Sequence, residues 1–153
     1  MEEITIRKAV LSDMPVLLIF EQGVIATERP FDLTLKHHPI NYYDIEKMIT
    51  SEEVELLVAT INNTLIGSGY ARIENAKPYV RHLQHAYLGF MYVVPEHRGK
   101  GVNKKIMDEL TKWCVEKNIT EQRLDVYYNN ESAFKAYEKT GFKKHMIEMR
   151  RGI

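Results

Sequence analysis

The 153-residue sequence predicts one domain over residues 1–153, of α/β class (an α+β mixed sheet with helices packed on it), in the order β-α-α-β-β-β-α-β-α-β. Three observations carry this expectation. Residues 83–94 form the longest strand candidate and are largely apolar on both parities, as a strand buried on two faces requires. Past Pro95 that strand runs through Arg98-Gly99-Lys100-Gly101 into an amphipathic helix. Earlier, residues 54–61 and 64–73 read as two strands joined at Asn62-Asn63, a hairpin.

The elements follow in order. Residues 3–9 alternate as a short strand with Ile4 and Ile6 on one face. Ser12 is placed to cap a helix running to about Glu28, with Pro15 in its first turn and Arg29-Pro30 ending it. Phe31 to Ile40 reads as loop, and Asn41 can cap a second helix through Thr50. The hairpin and the long strand come next, with Gly89 a site for a bulge in the latter. Val102, Ile106, Leu110 and Trp113 stripe the third helix, which runs to about Lys117. Gln122 to Tyr127 is a strand, Asn130 caps a fourth helix that Gly141 ends, and Phe142 to Met149 is expected to close the sheet.

Composition narrows the function classes. With 44% hydrophobic residues the chain is not wholly disordered. Lys+Arg 21 against Asp+Glu 21 leaves no net charge, which argues against a general nucleic-acid binder. The zero is uneven: residues 1–60 carry 11 acids against 5 bases, and residues 61–153 carry 10 against 16. Cys114 is the sole cysteine, so no intrachain disulfide forms, and it reads as a small core residue. No charged-then-apolar leader opens the sequence and Pro15 to Phe20 is its longest apolar run, so the expectation is a cytoplasmic protein without a membrane partner.

Two segments carry the chemistry. In Val93-Val94-Pro95-Glu96-His97-Arg98-Gly99-Lys100-Gly101-Val102 a buried strand enters a helix through two glycines. The first-turn N–H groups of that helix lack acceptors, the dipole makes the end positive, and glycine lets an anion approach the backbone. Arg98, Lys100, Lys104 and Lys105 add four positive charges within eight residues, which suits a pyrophosphate as well as a solvated basic helix start. Neither GxxxxGK[ST] nor GxGxxG is present, which disfavours a P-loop NTPase or a dinucleotide-binding unit. The second segment runs from Asn130 to Phe142, where Asn130, Ala133 and Tyr137 share one helical face that could flank an extended ligand or simply pack in a core.

Together, Val-x-Pro-x-x-Arg-Gly-x-Gly-Val and, about thirty residues on, Asn-x-x-Ala-x-x-x-Tyr-x-x-x-Gly-Phe resemble the GCN5-related N-acetyltransferase (GNAT) superfamily. The likeness is strongest over residues 83–149, and Asn103 stands where the family's motif has a small residue. The resemblance implies a GNAT-like acyl-CoA N-acyltransferase fold with splayed central strands, here 83–94 and 122–127. It implies acetyl-CoA as co-substrate and transfer of its acetyl group to a primary amine of a small molecule, amino acid or peptide.

On that resemblance Met91, Tyr92 and Val93 offer backbone groups to the pantetheine and the thioester carbonyl. Arg98, Gly99, Lys100, Gly101, Val102 and Asn103 cradle the pyrophosphate, and Asn130 contacts the pantetheine side. Tyr137 takes the general-acid role and meets the cofactor. Asp125 is the first choice for the base, with a water relay near His85 or Tyr87 the second. Glu28, Arg29, Phe31, Asp32, Tyr42, Tyr43 and Tyr79 are candidates for the acceptor side. His82 and His85 have opposite strand parity and adjacent His37-His38 are poorly placed, so no metal is expected. A catalytically silent CoA-binding regulatory module of the same fold stays open, as does a homodimer.

Overall fold

The computed structural model describes residues 2–153. Strand β1 (Thr5–Lys8) leads through a 3-10 turn at Leu11–Asp13 into helix α1 (Met14–Glu28). A second 3-10 turn at Arg29–Phe31 and a long loop precede the short helix α2 (Ile45–Thr50). Strands β2 (Val54–Ile61), β3 (Thr64–Asn75) and β4 (Gln84–Val93) follow, then helix α3 (Val102–Glu116), strand β5 (Gln122–Arg123) and helix α4 (Glu131–Lys139). The five strands lie in chain order in one sheet, antiparallel except for the parallel β4–β5 pair.

Alternation puts half of each strand on each face, and both faces are covered. Leu56, Val58, Tyr70 and Phe90 pack against Leu17 and Phe20 of α1 and Ile45 of α2. Leu57, Ala59, Ala71 and Leu88 pack against α3, whose Val102, Ile106, Leu110 and Trp113 form the expected stripe. Truncating a fully buried residue such as Leu110 to alanine costs about 2–5 kcal/mol in sites of this kind. The hairpin turns where expected: Asn62 and Asn63 have φ of 49° and 64°, the left-handed pair a two-residue connection needs.

Two helix starts differ from expectation: the chain enters α1 through a 3-10 turn, and α2 begins only at Ile45. Ser12 falls inside the 3-10 turn, and Asp13 accepts both Arg7 guanidinium nitrogens at 2.8 and 2.9 Å and the Val10 N–H at 2.9 Å. Asp44, rather than Asn41, caps α2 by accepting the Lys47 N–H at 3.2 Å. The loop before it is held by Glu21, fully buried, whose Oε2 accepts the N–H groups of Tyr42 and Tyr43 at 2.7 Å each.

The bulge in β4 comes one residue after Gly89. Tyr92 pairs with Ser68 and Gly89 with Tyr70, so β4 holds an extra residue there. Phe90 takes the left-handed conformation at φ 54°, and its carbonyl accepts the buried Ser68 hydroxyl at 2.9 Å. Gly89 serves packing instead, since a Cβ there would run into the Tyr70 ring.

The closing strand expected over Phe142 to Met149 is not formed. Phe142 is half-buried against Tyr137, and residues 143–153 are exposed on both parities. A strand forms a ladder only beside a free edge, and residues 143–149 make no backbone bond to one. Among the described residues no helix is long and apolar enough to cross a membrane.

Candidate active site

β5 pairs with β4 only at Ala86–Gln122 and Tyr87–Arg123, after which the two parallel strands part. The gap they leave is the floor of a cleft of about 700 Å³, walled by the end of α1, the turn before α3 and one face of α4. Met91, Tyr92, Val93, Arg98, Gly99, Gly101, Val102, Asn103, Asp125, Asn130 and Tyr137 all line it. Lys100 is exposed beside the turn, outside the lining.

The turn is built for close approach. Gly99 and Gly101 sit at φ 75° and 80°, a conformation that β-carbons disfavour, and nothing lies within 4 Å of where either Cβ would be. The first α3 ladder bond is Lys105 N–H to Gly101 carbonyl at 3.1 Å, so the N–H groups of Val102, Asn103 and Lys104 precede any intrahelical acceptor. Asn103 donates to Met107 Sδ at 3.6 Å, while its Oδ1 is buried without a partner. Successive left-handed glycines and free amides make an anion-binding nest, so these residues fit a pyrophosphate.

Arg98 is turned toward the strand. Its Nε donates to the Val93 carbonyl at 2.8 Å and its guanidinium lies 5.6 Å from the Tyr92 ring centroid. The Val94 N–H bonds Ile66 of β3 at 2.9 Å, and alternation sends the Tyr92 backbone groups to β3 as well. Val93 is therefore the residue whose N–H and carbonyl face the cleft. The expectation that Tyr92 offers its backbone there is corrected. Its side chain packs on Phe20 instead, ring centroids 4.9 Å apart.

Asn130 caps α4 by accepting the Ala133 N–H at 3.3 Å. Tyr137 stands two turns further on, packed edge-on to Phe142 at 5.9 Å. Burial raises its hydroxyl above the usual phenol value and the charge of Glu28 adds to the rise. Asp125 accepts the Tyr87 hydroxyl at 3.0 Å, and Tyr87 is raised by burial first and by Asp125 next.

The end of the cleft beside α1 holds groups with opposite tendencies. Burial lifts the Glu28 carboxyl, against a hydrogen bond from Tyr42. Asp32 is pulled down to about 2 by the hydroxyl and N–H of Thr34, with Arg150 adding to the fall. Phe31 stacks on Tyr127 at 6.1 Å, and the Tyr127 hydroxyl, pushed up to about 12 chiefly by burial, donates to Asp32 at 3.3 Å. Sequence reasoning missed Tyr127 and Thr27, which the fold brings to the cleft wall from distant segments.

Other candidates go elsewhere. Arg29 bonds the carbonyls of Lys36 and His38, Tyr43 stacks on buried Phe90 at 4.5 Å, and Tyr79 is 83% exposed outside the cleft. His82 precedes β4, so strand parity does not separate it from His85, and the two rings lie 6.2 Å apart beside Glu121. Arg123 sits among them, 2.6 Å from Glu121 and 3.3 Å from His82, placing a cation on the would-be ligand atoms. His85 therefore belongs to this cluster rather than to the cleft. Cys114 is buried in the core as expected.

A five-stranded mixed sheet whose one parallel pair parts beside a glycine-bearing helix start is the architecture of the GNAT fold. The chain belongs to the acetyltransferase (GNAT) family, whose model matches residues 24–142. Among solved structures, a mutant of the BH1408 protein of Bacillus halodurans aligns at TM-score 0.88 and 15% identity, covering 97% of this chain and 99% of that one. A predicted acetyltransferase of Clostridium acetobutylicum, solved with acetyl-CoA, aligns at 0.70 and 21%, covering 97% and 96%. Glucosamine-6-phosphate N-acetyltransferase of Arabidopsis thaliana aligns at 0.70 and 21%, covering 99% of each chain. Comparison with curated proteins finds no match.

Proposed function

We propose that the protein transfers the acetyl group of acetyl-CoA to a primary amine of a small molecule, amino acid or peptide, by direct attack through a tetrahedral intermediate. One observation carries this reading: an anion nest, a free strand edge and a half-buried phenol converge on one cleft whose far end is acidic and aromatic. Acetyl-CoA, when bound, supplies the activated thioester. The chain must then hold it, accept a proton from the amine, stabilise the oxyanion and assist the departing thiolate.

The amides around Gly99, Gly101, Val102 and Asn103 hold the pyrophosphate, with Arg98 and Lys100 contributing charge. Met91 and Val93 meet the pantetheine by strand-like addition, and Asn130 flanks it. The Val93 N–H, facing the cleft, is the donor aimed at developing oxyanion charge. Tyr137 is held protonated by its raised pKa. A thiolate of pKa roughly 8.5 takes a full proton from such a phenol only uphill, so Tyr137 acts mainly by hydrogen-bond donation as charge develops.

For the base, Asp125 stays a candidate at the gap, although its Oδ2 is engaged by Tyr87. Glu28 competes for the role: burial raises its affinity for a proton, and it lies near enough to Tyr137 to perturb it. Asp32, held ionised, and the Phe31–Tyr127 pair suit a cationic amine. Thiol release from acetyl-CoA across an amine panel tests the proposal. Acceleration by at least one amine is expected, with Tyr137→Phe losing kcat while keeping cofactor affinity. Binding of acetyl-CoA without acceleration by any amine would favour the silent CoA-binding module.

A further inference from the structure

Two arginine–aspartate contacts in this chain differ in kind. Arg7 meets Asp13 through two guanidinium nitrogens at 2.8 and 2.9 Å, the bidentate geometry of a structural pair. Arg150 meets Asp32 through one nitrogen, with Nη2 3.4 Å from Oδ1, while its Nη1 donates to Thr34 Oγ1 at 3.3 Å. Charge-assisted bonds of this type usually close to about 2.7–2.9 Å, so the second contact is loose. The Arg150 side chain is also 58% exposed, against 12% for Asp32.

Asp32 is nevertheless firmly built. Its Oδ1 accepts the N–H of Thr34 at 2.9 Å and the Thr34 hydroxyl, and its Oδ2 accepts the Tyr127 hydroxyl at 3.3 Å. These donors orient the carboxylate without Arg150, and Thr34 does most to keep it ionised. Tyr127 and Phe31 line the cleft, stacked 6.1 Å apart, so Asp32 stands one hydrogen bond beyond the cleft wall.

Glu28, on the same wall, is the opposite kind of acid. Burial raises its affinity for a proton, and the Asp32 charge adds to the rise. Both acids push up the Tyr127 hydroxyl, after burial, so both lie within reach of it. They do not suit the same nitrogen. The attacking amine must shed a proton that Glu28 can take, whereas a permanently ionised Asp32 would hold that proton on the nitrogen.

Resting on the acetyl-transfer reading above, we infer that the acceptor carries a second cationic group besides the amine that reacts, that Asp32 binds this group, and that Arg150 is its placeholder in the free protein. The stretch between the two nitrogens crosses the Phe31–Tyr127 pair, whose rings suit both alkyl carbons and a passing cation. The guanidinium of Arg150 shows the chemistry that the carboxylate accepts, and its single long bond lets a better-placed cation displace it.

Titration of α,ω-diaminoalkanes, and of n-alkylamines of equal length, into the protein saturated with CoA tests this without requiring turnover. At one length or more the diamine should bind about fivefold tighter than its matched monoamine, as a partly exposed ion pair allows, and added salt should shrink the difference. Arg150→Gln removes the placeholder charge and should widen the diamine advantage about twofold or more. Asp32→Asn, whose amide oxygen can keep the Thr34 bonds, should abolish it. Circular dichroism spectra like the wild type's would show that both variants fold. Equal binding of diamine and monoamine at every length, or an advantage that survives Asp32→Asn, would overturn the inference. A diamine advantage that narrows in Arg150→Gln would make Arg150 a structural latch and overturn its placeholder role. A diamine advantage in binding, with no amine acetylated when acetyl-CoA replaces CoA, would support the second-cation site while the transfer reading fails.

Discussion

Replacing Gly101 by alanine separates the cost of a strained backbone from the cost of a blocked ligand. Gly101 has φ 80° and nothing within 4 Å of its Cβ position, so the methyl meets no protein atom. The penalty in the free protein is the left-handed conformation alone, roughly 1–2 kcal/mol, or about 2–8 °C in Tm for a chain of this size. With cofactor the methyl projects where the pyrophosphate is proposed to rest. Loss of one charge-assisted amide bond, about 1.5–3 kcal/mol, weakens binding about ten- to a hundredfold. Gly141, at φ 99° with equally open space, is the control. Gly141→Ala should lower Tm similarly and leave affinity alone. Calorimetric titration with CoA beside thermal melts reads both quantities. Unchanged CoA affinity in Gly101→Ala, with the expected fall in Tm, would refute the assignment of the turn to phosphate.

Four further outcomes are expected. Tyr137→Phe should lower kcat by about 10²-fold or more while the CoA dissociation constant stays within about twofold, measured by steady-state kinetics and titration. Because burial raises the Glu28 carboxyl, kcat/KM should fall as pH drops through a value above the ordinary glutamate range; Glu28→Gln should remove that limb, and a limb that persists assigns the base to another group. Asp13 is held below the usual carboxylate range, first by Arg7, so its contribution is full above about pH 4 and lost as pH falls through its lowered value. Asp13→Asn should cost about 1–3 kcal/mol at neutral pH and flatten the acid limb of a stability profile. Gly89→Ala, which drives a methyl into the buried Tyr70 ring, should destabilise by about 1–3 kcal/mol in denaturant melts without the tenfold CoA effect of the turn variant.

Local patterns make much of the fold legible in the sequence. The hairpin lay in two asparagines that tolerate positive φ, α3 in a stripe that became a buried face, and the α4 cap in one asparagine. The glycine turn and Tyr137 were readable because adjacent residues build the nest and one helical face carries the phenol. What escaped depends on contacts far apart in sequence. Glu21 reads as a surface acid on a helix until Tyr42 and Tyr43 bring it their amides. Tyr127 reaches the cleft wall because Phe31 and Asp32 meet it across nearly a hundred residues. Strand parity says nothing of His82, since β4 begins after it. The closing segment reads as a strand, but that reading names no neighbour for it to pair with.

The most direct test of the account is mass spectrometry of products after incubation with acetyl-CoA bearing a deuterated acetyl group and a panel of primary amines. The account predicts one or more amines carrying the labelled acetyl group, with free CoA released in equal amount. That product should be lost in step in Gly101→Ala and Tyr137→Phe. Labelled acetyl-CoA that binds in the cleft yet leaves every amine unlabelled would contradict it.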